Sequence, residues 1–176
     1  MYSELTRLDH ALAALVSKIP AGLMPLMTAV TFIGQPIIVI AVALIAGVIA
    51  WFKDARQITY AEAAALVAFS GNTVIKHLVH RNRPHTMYVG DMRIKSYSFP
   101  SGHAFGSTVV YGLLAYLAFK YLPHPWNIII MIVLIILILL VGVSRVYLGA
   151  HFPSDVIAGW VLGGVSLLII IRYLRP

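Results

Sequence analysis

Long apolar stretches, each close to the length that crosses a bilayer as a helix, dominate the chain. The positions of proline, glycine and charged residues divide them into five predicted spans, at residues 36–52, 59–80, 101–120, 126–143 and 153–173. We therefore expect an all-α fold, a polytopic membrane helical bundle with five full transmembrane helices.

The N-terminal segment has a different pattern. Its apolar residues recur on one helical face, which carries Leu5, Leu8, Leu12, Leu15, Val16 and Ile19. The other faces carry Arg7, Asp9 and His10. This period predicts an amphipathic helix that lies in the membrane interface.

Pro20 and Pro25 interrupt the pattern that follows, and residues 23–33 are expected to form a short helix ending near Gly34. We expect residues 1–34 to form an N-terminal interfacial region and residues 35–176 a membrane-embedded core. The alternative is a sixth span through residues 8–33.

Composition narrows the classes of protein. Hydrophobic residues make up 60% and charged residues 11% of the 176 residues, which is far from the usual soluble balance. Thirteen basic and six acidic residues give a net charge of +7. Three basic residues fall inside clusters of polar residues and several others flank apolar runs, so nucleic acid is not an expected partner. Because the chain has no cysteine, disulfides, thiolate metal sites and thiol nucleophiles are excluded.

The order of the spans places four of their ends on one membrane side: the end of the second, the start of the third, the end of the fourth and the start of the fifth. Three clusters of polar residues occupy these ends: Lys76 with Arg83, residues 100–103, and residues 144–155. The opposite side receives the cations Lys53, Arg56, Lys120, Arg172 and Arg175. By the positive-inside tendency, that side is expected to be cytoplasmic and the polar pocket extracytoplasmic. We expect a multi-pass protein of the cell membrane.

The first cluster contains two cations at the end of the second span. Lys76 and Arg83 are seven residues apart, so both project from nearly the same helical face, and Pro84 ends the helix. Such a pair fits a phosphate site. It also fits the ordinary case in which boundary cations extend to lipid headgroups.

The second cluster, Pro100-Ser101-Gly102-His103, opens the third span. Ser101 is a suitable N-cap, and Gly102 permits close approach of a ligand to the backbone. Free amides at a helix N-terminus form an anion site. An ordinary helix start has the same pattern, but it leaves His103 unexplained, at a position suited to protonate a phosphate ester oxygen.

The third cluster lies between the fourth and fifth spans. Ser144 and Arg145 are followed by His151, and Asp155 lies four residues after that histidine. This spacing lets the carboxylate fix one imidazole nitrogen and leaves the other free as a nucleophile. Metal binding by the two histidines and Asp155 is an alternative, disfavoured because the whole chain has six acidic residues.

The three clusters together resemble the signature motifs of the type 2 phosphatidic acid phosphatase superfamily, in order and with similar separations, over roughly residues 20–172. The resemblance implies a membrane phosphatase that works through a phosphohistidine, without metal or other cofactor. It implies that His151 is the nucleophile, Asp155 its orienting partner and His103 the general acid. The phosphate ligands that it implies are Lys76, Arg83, Ser101, Gly102 and Arg145.

A membrane lipid phosphate is the expected substrate, because the pocket opens at the bilayer surface. The family implies polyprenyl pyrophosphate, phosphatidylglycerophosphate, phosphatidate or phosphorylated lipid A. A polar loop at 85–99, which carries Tyr88, Arg93, Lys95 and Tyr97, lies beside the pocket. It either selects headgroups or anchors at the interface. Two other functions stay open, a non-catalytic phosphate-lipid binding or transport module and a haloperoxidase-like oxidoreductase, and the oligomeric state is undetermined.

Overall fold

The computed structural model describes residues 2–91 and 96–174, and in these residues the chain forms helices and no strand. A single turn of 3-10 helix, Ala21–Leu23, precedes the second of eight α-helices. The helices are α1 (Tyr2–Val16), α2 (Met24–Ile33), α3 (Pro36–Phe52), α4 (Arg56–Val79), α5 (Met87–Asp91), α6 (Gly102–Tyr121), α7 (Trp126–Tyr147) and α8 (Pro153–Tyr173). The all-α membrane bundle predicted from the sequence is confirmed.

The described residues contain four helices, α4, α6, α7 and α8, that are long and apolar enough to cross a membrane. The apolar α3 has 17 residues, about 25 Å at 1.5 Å per residue, which is slightly short of a 30 Å hydrocarbon core. Counting α3, the apolar helices correspond to the five predicted spans.

The N-terminal helices begin and end close to the predicted positions. α1 and the segment Ala21–Ile33 meet at a bend of 87°. The two together are therefore not one continuous membrane-spanning helix, and they count as a further span only if a broken helix is allowed. Leu8 and Leu15 are both 59% exposed on the outer face of α1, as expected for a helix with one lipid-facing side.

Two boundaries differ from the sequence expectation. The fourth span was predicted to end at residue 143, whereas α7 continues to Tyr147 and holds Ser144 and Arg145 in its last turns. The helix continues because Arg145 is buried with a hydrogen-bond partner, Thr31, and does not extend into water. The segment 85–99 was predicted as a loop and contains the short helix α5.

The third span, α6, lies at the centre of the bundle and packs against α3, α4, α7 and α8. Its buried residues include Val109, Val110 and Leu113. Helix α8 approaches α6 closely at Gly159 and Gly163, where an added Cβ would lie 2.8 Å from the Ser101 carbonyl oxygen and 2.9 Å from that of Phe105, respectively. This close approach places the start of α8 beside the start of α6.

We expect Gly159→Ala to destabilise the bundle, by about 1–3 kcal/mol, because the new methyl group meets backbone of α6 that cannot move aside freely. Gly164→Ala is the matched control in the same helix, since nothing lies within 4 Å of its added Cβ. Thermal unfolding in detergent should show a lower Tm for the first variant only. Equal melting temperatures would contradict the close packing of α6 on α8.

Candidate active site

The three polar clusters meet at one end of the bundle. The site lies where the C-terminal ends of α4 and α7 meet the N-terminal ends of α6 and α8, beside the connecting residues 80–86, 96–101 and 148–152. We call the region among Arg83, Arg145 and His151 the pocket. Gly149 makes the turn from α7 toward α8 in the left-handed region, at φ +66°, which glycine adopts without strain. That turn brings His151 back over Arg145, whose carbonyl oxygen accepts a hydrogen bond from the His151 amide at 3.2 Å.

His151 lies between a cation and a carboxylate. The Arg83 Nη1 donates to His151 Nε2 at 3.0 Å, and His151 Nδ1 faces the Asp155 Oδ2 at 3.5 Å. The second distance is long for a hydrogen bond, so Nδ1 is buried without a close partner. Because a guanidinium can only donate, Nε2 must be the unprotonated nitrogen, and the ring proton of the neutral imidazole lies on Nδ1, toward Asp155.

Burial keeps His151 neutral. Removal from water, with the added positive charges of Arg83 and Arg145, lowers the pKa of His151 to about 3 against the opposing effect of Asp155. At neutral pH the imidazole therefore carries an unprotonated Nε2, whose lone pair accepts the hydrogen bond from Arg83. That is the state required of a nitrogen nucleophile.

Asp155 is fully buried, and each carboxylate oxygen has a donor. Oδ1 accepts from Arg81 Nη1 at 2.6 Å, while Oδ2 accepts from Ser98 Oγ and, at 2.9 Å, from the amide of Phe152. These bonds fix the carboxylate beside His151.

Lys76 is bound by backbone carbonyl groups of the protein. Its Nζ donates to the backbone carbonyl oxygens of Tyr97 at 2.9 Å, Ser98 at 3.4 Å and Pro100 at 2.6 Å. These contacts hold the segment that leads into α6. In this conformation Lys76 positions the start of α6, and its charge lies next to the pocket.

Arg83 links the segment before α6 to the segment between α7 and α8. Its guanidinium donates to the carbonyl oxygens of Ser96 and Ala150, both at 2.8 Å, as well as to His151. Burial and the nearby charge of Arg145 lower the pKa of Arg83 to about 10, so the group stays charged at neutral pH.

The start of α6 has the predicted form. Ser101 is buried and is the N-cap, accepting from the Ala104 amide at 3.5 Å, and its own amide donates to the Asp155 carbonyl oxygen at 2.9 Å. A Cβ added at Gly102 would lie 3.4 Å from Asn72 Nδ2 and 3.9 Å from Lys76 Cε. His103 follows in the first turn, where it interacts electrostatically with Lys76, Arg83, Arg145 and His151.

Arg145 closes the other side of the pocket. Its Nη1 donates to Thr31 Oγ1 at 2.7 Å and to the Tyr88 hydroxyl at 3.4 Å, whereas its Nε is buried with no partner. A buried, unsatisfied cationic donor beside two further cations is suited to bind an anion.

The structure thus brings together all eight predicted site residues, Lys76, Arg83, Ser101, Gly102, His103, Arg145, His151 and Asp155. Within residues 2–91 and 96–174, no three His, Asp or Glu side chains come close enough to hold a metal ion. Of the predicted headgroup selectors, Tyr88 contacts Arg145 and Tyr97 contacts Lys76 through its carbonyl, whereas Arg93 and Lys95 lie outside the described residues.

Sequence reasoning missed four residues that support the site, directly or through a neighbour. Ser98 and Arg81 hold Asp155, Asp9 holds Arg81, and Thr31 holds Arg145. The one available signal was Arg81 itself, a further cation between the two motif cations of the first cluster.

The fold defines a multi-pass membrane protein, with a cluster of cations at the ends of its helices. The sequence profile of the PAP2 superfamily matches residues 37–176. The chain belongs to the PAP2 superfamily.

Named relatives agree with this membership. Phosphatidylglycerophosphatase B of Bacillus subtilis is 39% identical over 94 residues, which are 52% of this chain and 45% of that protein. An undecaprenyl-diphosphatase of Sulfolobus acidocaldarius is 36% identical over 118 residues, 64% of this chain and 53% of that protein. The matches thus span about half the length of these relatives.

A solved structure has the same fold. The crystal structure of a transmembrane PAP2-type phosphatidylglycerolphosphate phosphatase from Bacillus subtilis superposes with a TM-score of 0.82 at 26% identity. The superposition covers 98% of this chain and 87% of that one.

We expect the His151 imidazole to stay neutral between pH 5 and 8, because its pKa is lowered to about 3. Nitrogen-15 NMR of histidine-labelled protein in detergent measures this directly, with His151→Asn identifying the resonance. Since the folded pKa lies below that of the unfolded chain, the unfolded state binds the extra proton first as pH falls. The stability that this histidine contributes is present above about pH 6.5 and decreases as pH falls toward 3. A His151 resonance that titrates near pH 6.5 would contradict the assignment.

Proposed function

We propose that this protein is an integral-membrane phosphatase that hydrolyses a phosphomonoester or pyrophosphate of a membrane lipid through a phosphohistidine intermediate, without a metal. The observation that carries the proposal is the setting of His151, whose Nε2 contacts Arg83 and whose Nδ1 faces a buried carboxylate. A site that only binds phosphate needs the cations, but it has no use for an oriented nucleophile.

In the proposed first step, the lone pair of His151 Nε2 attacks phosphorus, and the bond from phosphorus to the leaving oxygen breaks. His103 gives its proton to that oxygen. The charge that develops on the other phosphate oxygens is stabilised by Arg83, Arg145 and the amides at the start of α6. Arg83 already contacts Nε2, so phosphate binding would draw its guanidinium onto the phosphate and free the nucleophile.

In the proposed second step, water attacks the phosphohistidine. His103, now deprotonated, takes a proton from that water, the bond between phosphorus and Nε2 breaks, and inorganic phosphate leaves. The negative charge of Asp155 stabilises His151 while its ring carries the phosphoryl group and the Nδ1 proton.

For the substrate class, we infer a lipid phosphate or pyrophosphate. The pocket lies at the ends of lipid-facing helices, where a headgroup can enter from the side. The relatives named above as a phosphatidylglycerophosphatase and an undecaprenyl-diphosphatase support two of the predicted substrates, phosphatidylglycerophosphate and polyprenyl pyrophosphate.

We expect purified protein to release phosphate from a panel of phosphatidate, phosphatidylglycerophosphate and polyprenyl pyrophosphate in the presence of EDTA. His151→Ala should lose turnover entirely, and His103→Ala should lose about 10²–10⁴-fold in kcat, the usual contribution of a general acid. Malachite-green detection of released phosphate is sufficient for the measurement.

His124→Ala is the matched control, because this histidine is exposed between α6 and α7 at the opposite end of the bundle and should retain full activity. Turnover retained in His151→Ala would exclude the phosphohistidine. Tight vanadate binding without any phosphate release would point instead to a binding or transport module.

We also propose that the pocket faces the extracytoplasmic side, supported by the cations at the opposite ends of the helices. Among these, Arg56 lies over the Trp51 ring at 3.5 Å, and Lys120 lies 5.1 Å from the Tyr121 ring centroid. Trp and Tyr are enriched at both membrane interfaces, whereas an excess of Lys and Arg marks the cytoplasmic one.

A membrane-impermeant thiol reagent tests this orientation in intact cells, since the native chain has no cysteine. We expect Asn82→Cys, exposed on the pocket side, to be labelled, and Asp54→Cys, 89% exposed at the opposite end, to be labelled only after lysis. The reverse pattern would place the pocket in the cytoplasm.

A further inference from the structure

Asp9 is buried although it belongs to an amphipathic surface helix. Its side chain is 2% exposed, whereas its neighbour Leu8 is 59% exposed on the outer face of α1. Asp9 Oδ1 accepts from the Ser154 amide at 2.8 Å, and Oδ2 accepts from Ser154 Oγ at 2.8 Å. A carboxylate of α1 thus caps the N-terminus of α8 from outside that helix, where an anion is stabilised by the helix dipole.

Arg81 joins Asp9 to the site. Its Nη2 donates to Asp9 Oδ2 at 2.6 Å, and its Nη1 donates to Asp155 Oδ1 at 2.6 Å and to Ser154 Oγ at 2.7 Å. The guanidinium also lies over the Phe152 ring, 4.3 Å from the centroid. Burial alone would lower the pKa of Arg81, but the bonds to the two carboxylates outweigh it and raise the pKa. Arg81 is thus a permanent cation between two carboxylates.

The position of Arg81 determines which oxygen of Asp155 faces the histidine. Because Arg81 occupies Oδ1, the carboxylate is held with Oδ2 toward His151 Nδ1. A planar guanidinium with two carboxylate partners has little rotational freedom, so Asp9 fixes Arg81 as Arg81 fixes Asp155. The three residues form a connected ion triad from α1 to the side chain behind His151.

We propose that Asp9 and Arg81 are positioning residues for His151, acting through Asp155, so that docking of α1 sets the orientation of the nucleophile. The inference rests on the function proposed above. Neither residue reaches the phosphate pocket, so their removal should slow the chemical step and leave substrate binding intact. A purely structural anchor would instead change the yield or stability of the protein and leave the rate per folded molecule unaltered.

The decisive variant is Asp9→Asn, which keeps the size of the side chain and removes its charge. The substrate is the panel lipid that the wild type hydrolyses fastest. We expect kcat per folded molecule to fall about 10- to 100-fold with KM unchanged, a loss like that seen when a residue that orients a metal-binding histidine is removed. Asp54→Asn is the matched control, because this aspartate is 89% exposed at the opposite end of the bundle. Arg81→Lys is the second variant, for use if Asp9→Asn folds poorly. It keeps the charge but loses the two-pronged geometry, and we expect the same loss of kcat.

A second measurement does not depend on turnover. The nitrogen-15 shifts of His151 report its tautomer, which we expect to be the Nδ1-protonated form in the wild type and a mixture in Asp9→Asn. Unchanged shifts together with wild-type kcat per folded molecule in both variants would overturn the positioning role, even with a lower Tm. Absence of turnover in the wild type would overturn the proposed function alone, because the shifts of Asp9→Asn would still decide the inference.

Discussion

The buried carboxylate of Asp155 is the group on which the arrangement of the pocket depends. A carboxylate removed from water costs several kcal/mol unless donors surround it. Here the donors come from separate segments, Arg81 after α4, Ser98 before α6 and the Phe152 amide before α8. Satisfying this one charge therefore fixes three connecting segments relative to one another.

The need of a buried charge for polar partners also explains how several positive charges can lie close together. Lys76 is held by carbonyl oxygens of the segment before α6, Arg83 by those of Ser96 and Ala150, and Arg145 by the Thr31 hydroxyl. Each of these cations donates to neutral acceptors, which leave its positive charge uncompensated. A cationic site that is already organised needs little reorganisation when negative charge develops in a phosphoryl transfer.

Much of this fold could be predicted from the sequence, because lipid-facing helices need apolar runs of defined length and end at proline, glycine or charge. Pro36 and Pro153 mark helix starts that the structure places at the same residues. The rule failed at the end of α7, where Arg145 was expected to stop the helix. A charge stops a spanning helix only where water is its partner, and the partner of Arg145 is Thr31, 114 residues earlier in the chain.

The site could be predicted as far as its residues belong to compact motifs, and no further. Asp9 has the spacing of a solvated position on an amphipathic helix, and Arg81, between Lys76 and Arg83, has the appearance of one more interfacial cation. Their pairing across 72 residues is a tertiary contact that helical periodicity does not encode. Helix α1 has two different faces. One face carries exposed leucines, which suit it to a lipid surface, and another carries the buried carboxylate of Asp9, which joins it to Asp155 through Arg81. In the proposed positioning role, α1 links its outward apolar face to the orientation of a histidine in the pocket.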